Sequence, residues 1–251
     1  MNDACRRFWI FNVHIPFRDL AVRLRTLSRR LRGKSRPPKG TLPEVGWRQI
    51  CRSAGVVFTE TKKADGNVNL AETAVLNALC RTYRPKTIFE IGTFDGRTTL
   101  NFALNSEAEI HTLDLPAEEL ADSAVTGADI KYVDKPVSGA RFKTGPNKDL
   151  PCVRRITQHL GDSARFDFSP WHGKADLIFV DGAHTYDFVK NDSEAAFKML
   201  SPAGGVIVWH DYGVWPDVAK ALEKIKTERP DLPLVNVRNT SLAVAITKPR
   251  G

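Results

Sequence analysis

The sequence predicts an α/β fold, doubly wound on a mostly parallel sheet. Three observations carry this. Apolar runs of strand length alternate with amphipathic, helix-length stretches from residue 71 onward. One such stretch, TIFEI, a glycine turn, TLNFAL and then EIHTLDL, reads as a complete βαβ unit, whose crossover is expected to be right-handed. The last two apolar runs, LVNV and LAVAIT, are joined only by RNTS, too short for a helix, so an antiparallel pair should close the sheet edge.

The elements follow in order. AETAVLNALCRTY is a helix stopped by Pro85, and TIFEI is the first core strand. EIHTLDL is the second strand, and VRRITQHLGD holds the third near its end. ADLIFVD is apolar at successive positions, the mark of a strand covered on both faces. YDFVKNDSEAAFKML is a helix offering Phe188, Ala195, Ala196 and Met199 to the core, and SPAGG ends it. VIVWHD is the next strand and VAKALEKIK the last helix. Residues 41–70 show no clear period. Residues 115–151, rich in Pro, Gly and Lys, are too long for a simple connection and are expected to form a lid.

Composition sets the class. The 251 residues suffice for one large domain, and 42% apolar with 26% charged residues is ordinary for a globular chain. No run is long and apolar enough to span a membrane, and no secretory signal is visible. The four cysteines form no C-x-x-C pair, so neither a disulfide frame nor a zinc site is expected, and the protein is read as cytoplasmic. The net charge of +8 lies in the first 40 residues, where eleven Lys and Arg face Asp3 and Asp19. The body is close to neutral, which argues against nucleic acid as the partner. Within that arm Leu20, Leu24, Leu27 and Leu31 recur at helical spacing among arginines. Two readings stay open: a helix packed on the body or on a second copy of the chain, or one lying on the anionic inner face of the membrane. The chain thus divides into a basic arm, 1–40, and a domain, 41–251.

Chemistry concentrates at the strand ends. EIGTFDG places Gly92 and Gly96 between a strand and a helix, where backbone can approach a ligand. Asp114 ends the next strand, 22 positions after Gly92, where a carboxylate can hold two ribose hydroxyls. Only two of the three dinucleotide glycines are present, so a plain βα turn stays open. Glu90 discriminates: it would repel a diphosphate and favour a cationic cofactor.

E-x-G-x-x-x-G followed by a ribose acid resembles the class I S-adenosylmethionine-dependent methyltransferases, over about residues 85 to 248. The resemblance implies a seven-stranded sheet with an antiparallel edge strand. It also implies S-adenosylmethionine as cofactor, held by Glu90, Gly92, Thr93, Gly96, Thr98 and Asp114. In that family a GDS turn follows the third strand. Here Gly161, Asp162 and Ser163 match it, which implies that Asp162 and Ser163 meet the adenine; Asp162 as a turn residue is the alternative.

DLIFVDGAHTYDFVKND and PAGGVIVWHDY resemble a narrower group, the metal-assisted O-methyltransferases related to those of antibiotic sugars. The resemblance implies a divalent metal, usually Mg2+, held by Asp181 and Asp211, with His184 as general base. His210 stands where that group often has an acid, which leaves the third ligand and the metal's identity open. Adjacent strand residues point opposite ways, so His210 and Asp211 can share an ion only if the strand has already turned. The expected acceptor is a hydroxyl of a sugar or other small molecule. Trp209 and Tyr212 are read as packing, and His111, His159 and His172 as ordinary. Two other classes remain at this point: a nicotinamide-dependent oxidoreductase, and a nucleic-acid-directed protein working through its basic arm.

Overall fold

Alternating residues of each strand go to opposite faces of one sheet, and each face is covered by helices. The computed structural model describes residues 40–52, 55–62, 65–133 and 137–247. The basic arm therefore lies outside the described residues, apart from Gly40. The elements are β1 (Glu44–Val45), α1 (Trp47–Ile50), α2 (Leu70–Tyr83), β2 (Thr87–Ile91), α3 (Arg97–Asn105), β3 (Glu109–Asp114), α4 (Ile130–Val133), α5 (Ala140–Lys143), β4 (Ile156–Leu160), β5 (Leu177–Val180), α6 (Tyr186–Met199), β6 (Val206–Trp209), α7 (Pro216–Glu228), β7 (Leu234–Val237) and β8 (Ala243–Ile246). Short 3-10 turns fill much of the rest of 115–155.

The strand order is β1-β7-β8-β6-β5-β2-β3-β4. Only β8 runs against its neighbours, β6 and β7. The closing pair is therefore present, but the antiparallel member is inserted between β6 and β7. The sheet has eight strands rather than seven, because Glu44 and Val45 pair parallel with Asn236 and Val237 at the outer edge. A two-residue strand carries no readable period, so 41–70 gave no sign of it.

Ile88, Ile110, Leu177, Phe179, Val206, Val208 and Val244 pack against α2 and α3. Phe89, Ile91, Leu113, Ile178, Val180, Ile207 and Ala245 pack against α6 and α7 on the other face. Phe188, Ala195, Ala196 and Met199 are buried in α6, as its pattern required. Asn69 caps α2 through its side chain, and Arg84 leaves it in a left-handed conformation just before Pro85. Trp209 and Tyr212 are packing residues: the Trp209 indole donates to Ser193 Oγ at 2.9 Å, and Tyr212 Oη accepts from the Leu42 N–H at 2.8 Å. Cys51, Cys80 and Cys152 are free thiols. No helix among the described residues is long and apolar enough to cross a membrane.

Backbone hydrogen bonds extend the ladder past the strand ends. Asp181 N–H donates to Ile91 O at 2.8 Å, His210 N–H to Val180 O at 3.1 Å, Gly92 N–H to Leu113 O at 2.8 Å and Gly161 N–H to Asp114 O at 2.9 Å. Five neighbouring parallel strands, β4, β3, β2, β5 and β6, therefore deliver the ends at 161, 114, 92, 181 and 210 to one edge. The strand order reverses between β2 and β5, the switch point where open α/β sheets bind ligands.

Gly92 is fixed by this edge. Its φ is +98°, and an added Cβ would lie 2.0 Å from the Asp181 carbonyl oxygen. Gly127 also has a positive φ, +64°, but meets nothing within 4 Å. Gly127→Ala should cost about 1 kcal/mol, the left-handed penalty alone, while Gly92→Ala should cost roughly 3 kcal/mol or more because backbone must move. Urea unfolding of both variants checks this; equal losses would contradict it.

Candidate active site

A cleft of about 840 Å³, counted with its open mouth, lies along the carboxyl edge. Gly92, Asp114, Asp162, Ser163, Asp181, His184 and Asp211 line it, as does Asp129 from the connection between β3 and β4. Phe94, Leu113, Leu115, Val125, Tyr132 and Phe188 supply apolar wall. Five aspartates thus face one cleft, with no lysine or arginine among its described lining residues.

Glu90 does not line it. The residue shares the face of Ile88, under α3, and is fully buried. Its Oε2 accepts from Thr112 Oγ1 at 2.6 Å and from Thr99 Oγ1, and its Oε1 has no partner. Burial pushes its carboxyl up to about 8, so the residue enters neutral solution as an acid, not a carboxylate. Thr93 is buried with its Oγ1 2.6 Å from Thr112 Oγ1. Gly96 packs against the connection: an added Cβ would meet the Phe142 ring at 2.6 Å. Thr98 is half-buried and, like these three, off the cleft wall. The first N–H of α3, on Arg97, is already taken by Asp95 Oδ1 at 3.0 Å, so the helix end does not wait for a phosphate.

The remaining cofactor-side residues do face the cleft. Asp114 accepts from Ser138 Oγ, which itself accepts from Gln158 Nε2 at 2.6 Å. Burial pushes Asp114 up to about 6, against hydrogen bonds from Ser138 and the backbone of Phe94 and Thr93. Asp162 Oδ1 accepts from the Ala164 N–H at 2.9 Å, so it shapes the turn; its buried Oδ2 has no partner and is open to a donor. Phe94 holds φ +51°, a strained value for a bulky residue, at the tip of the glycine loop.

At the other end six titratable groups meet. His210 Nδ1 lies 3.0 Å from Asp181 Oδ1 and 3.3 Å from Asp211 Oδ2, and its Nε2 lies 3.2 Å from Glu72 Oε2. His184 Nε2 lies 2.9 Å from Asp211 Oδ2, and its Nδ1 2.6 Å from Asp129 Oδ1. Asp211 has φ +61°, so the chain has left the strand and both His210 and Asp211 turn to one point. The geometric condition for sharing an ion is met. Burial disfavours both imidazolium ions, but the carboxylates prevail: His184 is raised to about 9 and His210 well above its ordinary value. Burial alone would raise Asp211, yet the two imidazoles hold it well below the usual carboxylate range. Between the Asp129 and Asp211 carboxylates His184 is held toward its cationic form.

The donor set fits a divalent cation. Asp181, His210 and Asp211 offer ligand atoms within 4.8 Å of one another. Two are hard carboxylate oxygens. The third is a ring nitrogen whose opposite nitrogen is anchored on a carboxylate, Glu72, as ligating histidines usually are. An imidazole in the set moves preference from magnesium toward manganese, iron or zinc.

Sequence reading missed several of these partners. Glu72 carries a local signal, but for a different role: it forms a capping box with Asn69. It is also bonded to Ser241, through N–H and Oγ at 2.8 Å each. Asp129 and Ser138 sit in the connection, where no period marks them. Trp215 stacks on His184 with centroids 4.5 Å apart. His111 and His159, read as unpartnered, are in contact, Nδ1 to Nε2 at 3.2 Å, because β3 and β4 are neighbours.

Comparison with known proteins agrees with this geometry. Residues 89–212, from β2 to just past Asp211, match the family described as a methyltransferase domain. Among solved structures, the S-adenosylhomocysteine-bound methyltransferase PaMTH1 of Podospora anserina is 18% identical, with 74% of this chain and 81% of that chain covered at a TM-score of 0.51. Cofactor-bound Rv0187 from MTB is 17% identical over 76% and 85%, at 0.51. The O-methyltransferase from Bacillus cereus in complex with S-adenosylhomocysteine is 17% identical over 73% and 84%, at 0.50. At such identities the likeness is one of fold. Comparison with curated protein sequences finds no match. Residues 89–212 thus match a methyltransferase domain, and the sheet with its switch-point cleft is the fold of these cofactor-bound methyltransferase structures.

Glu90 gives a pH test. An unfolded chain releases this proton near the ordinary 4.5, while the folded chain keeps it to about 8. In that window unfolding releases a proton, so rising pH lowers stability; above about 8 the contribution is constant. Glu90→Gln keeps an acceptor for both threonines and has no proton to lose. The stability of Glu90→Gln relative to wild type should therefore grow by roughly 2 kcal/mol between about pH 5.5 and about pH 7.5. Denaturant unfolding at both values measures it; a constant difference would contradict the buried-acid assignment.

Proposed function

We propose that the protein transfers a methyl group from S-adenosylmethionine to a hydroxyl of a small, neutral or cationic acceptor, with a divalent metal at Asp181, His210 and Asp211. One observation carries the reading: the described wall of the cleft has five aspartates and neither lysine nor arginine. A dinucleotide's diphosphate would be repelled there, as would a phosphorylated acceptor. A sulfonium and an ammonium are attracted. This discounts the nicotinamide-dependent alternative on the same ground.

The roles divide along the edge. Asp114 takes the ribose hydroxyls, exchanging the Ser138 contact for them. Asp162, through its unpartnered Oδ2, accepts from the adenine amino group beside Ser163. Gly92 lets the backbone pass close to the methionine half, and Glu90, Thr93, Gly96 and Thr98 support that loop from behind rather than touch the cofactor. A divalent cation at the three-residue cluster would polarise the acceptor hydroxyl and lower its pKa. His184, whose Nε2 points at that cluster, would receive the acceptor's proton once a divalent cation at Asp181 and Asp211 has displaced the ring's own. S-adenosylmethionine would supply the methyl group to the acceptor oxygen, its sulfonium becoming a neutral thioether. Holding both reactants at one edge supplies much of the rate. The arm's possible partners, an anionic membrane surface or a second copy of the chain, stay proposals, and cytoplasmic placement goes with them.

Three variants test this. Asp114→Ala should weaken S-adenosylhomocysteine binding by about 1.5–3 kcal/mol in calorimetry, through loss of charge-assisted hydrogen bonds. His184→Ala should leave that binding intact and lower methyl transfer to hydroxylated acceptors by roughly 10²–10⁴. Chelator should abolish wild-type transfer, and Asp181→Asn should no longer respond to added metal. Full activity of His184→Ala, insensitive to chelator, would overturn the mechanism and leave the cofactor assignment standing.

A further inference from the structure

We propose that Asp129 is a positioning residue for His184, so that the connection between β3 and β4 completes the reaction centre as well as covering it. The proposal rests on the reading of His184 as the acceptor's base.

Asp129 is 5% exposed, and both its carboxylate oxygens go to one residue. Oδ2 accepts from the His184 backbone N–H at 2.9 Å, and Oδ1 lies 2.6 Å from ring Nδ1. The first contact places the main chain and the second sets the ring's rotation. His184 needs both, because it lies in the irregular stretch between β5 and α6, outside any ladder or helical repeat. Trp215 covers the ring at an interplanar angle of 15°, which fixes its plane. With Nδ1–H donated to Asp129, the nitrogen directed at Asp211 and the cleft is Nε2. Asp129 thereby decides which nitrogen meets the acceptor.

The connection is itself held in place. Gly139 N–H donates to Phe94 O and Arg141 N–H to Asp95 O, each at 2.8 Å, and the Arg141 side chain pairs with Asp95 and Glu60. Tyr132 packs edge-on against Phe94 with centroids 6.1 Å apart. The same loop that approaches the cofactor thus also seats the segment bearing Asp129. A displacement of this segment would withdraw the grip on His184, and a misplacement of about 1 Å can cost about 10²-fold in rate.

The experiment uses the full-length protein, labelled with 15N-histidine and saturated with S-adenosylhomocysteine, with the His184 ring signals assigned by their loss in His184→Ala. The wild type should show a protected Nδ1–H on His184, present whatever the charge of the ring. In Asp129→Asn, and in Asp129→Ser should the first variant fold poorly, that proton should exchange with water and its signal vanish, while S-adenosylhomocysteine affinity stays within about threefold. Methyl transfer to the hydroxylated acceptor that gives turnover should fall about 10-fold to 100-fold in Asp129→Asn, in kcat rather than KM. In the double variant with His184→Ala, Asp129→Asn should add no further loss, because the residue acts through the ring. A protected Nδ1–H that survives in both Asp129 variants, or a multiplicative loss in the double variant, would overturn the proposal. Unimpaired His184→Ala would instead remove the base reading beneath it.

Discussion

Everything at the carboxyl edge depends on bringing several carboxylates together out of water. Glu90, Asp114, Asp129, Asp162, Asp181 and Asp211 stand at or just behind one cleft. Desolvated like charges at this separation are costly unless something neutralises them. The protein uses three devices. Glu90 and Asp114 are pushed toward their acid forms, to about 8 and about 6. Hydroxyls of Thr99, Thr112 and Ser138 share the remaining charge. His184 and His210 stand as cations between Asp129, Asp181, Asp211 and Glu72. A ligand carrying positive charge fits this edge because it would take over work that protons and imidazoles now do.

The same edge explains the chain's tightest backbone. Strand ends can be this close only where one residue lacks a side chain, and Gly92 under the Asp181 carbonyl is that point. Gly96 serves a different neighbour, the Phe142 ring of the β3–β4 connection. Of two glycines that read alike in E-x-G-x-x-x-G, one makes room for a strand end and the other for a ring of the β3–β4 connection. The non-glycine left-handed residues Phe94 and Asp211 flank the cleft at its two ends, the expected place for backbone strain that serves a site.

Much of this could be read before the fold was known. β2, β3, β5 and β6 declare themselves by short apolar runs that end at Gly92, Asp114, Asp181 and His210, because strands covered on both faces must be apolar throughout. Those ends are also where ligands bind, which singled out Asp114, while Asp162, Asp181, His184, His210 and Asp211 were named through the family resemblance of the segments that follow the strands. Glu90 shows where the reading stopped short. Its charge was taken to face the cofactor, but strand alternation puts it with Ile88, under α3, and burial removes the charge. Asp129 and Glu72 could not be assigned their roles, since their partners lie 55 and 138 residues away in sequence. Only tertiary packing joins them. The eight-stranded count escaped for a simpler reason, that two residues define no pattern.

The central claim is that this edge holds a metal and a cofactor side by side. Electron paramagnetic resonance of Mn2+ added to the S-adenosylhomocysteine complex tests it most directly. The account predicts a single tightly bound ion per chain, with hyperfine coupling to an imidazole nitrogen that disappears in His210→Ala, and no tight ion in Asp211→Asn. Mn2+ that stays free in the wild-type complex, or that binds equally well in Asp211→Asn, would contradict it.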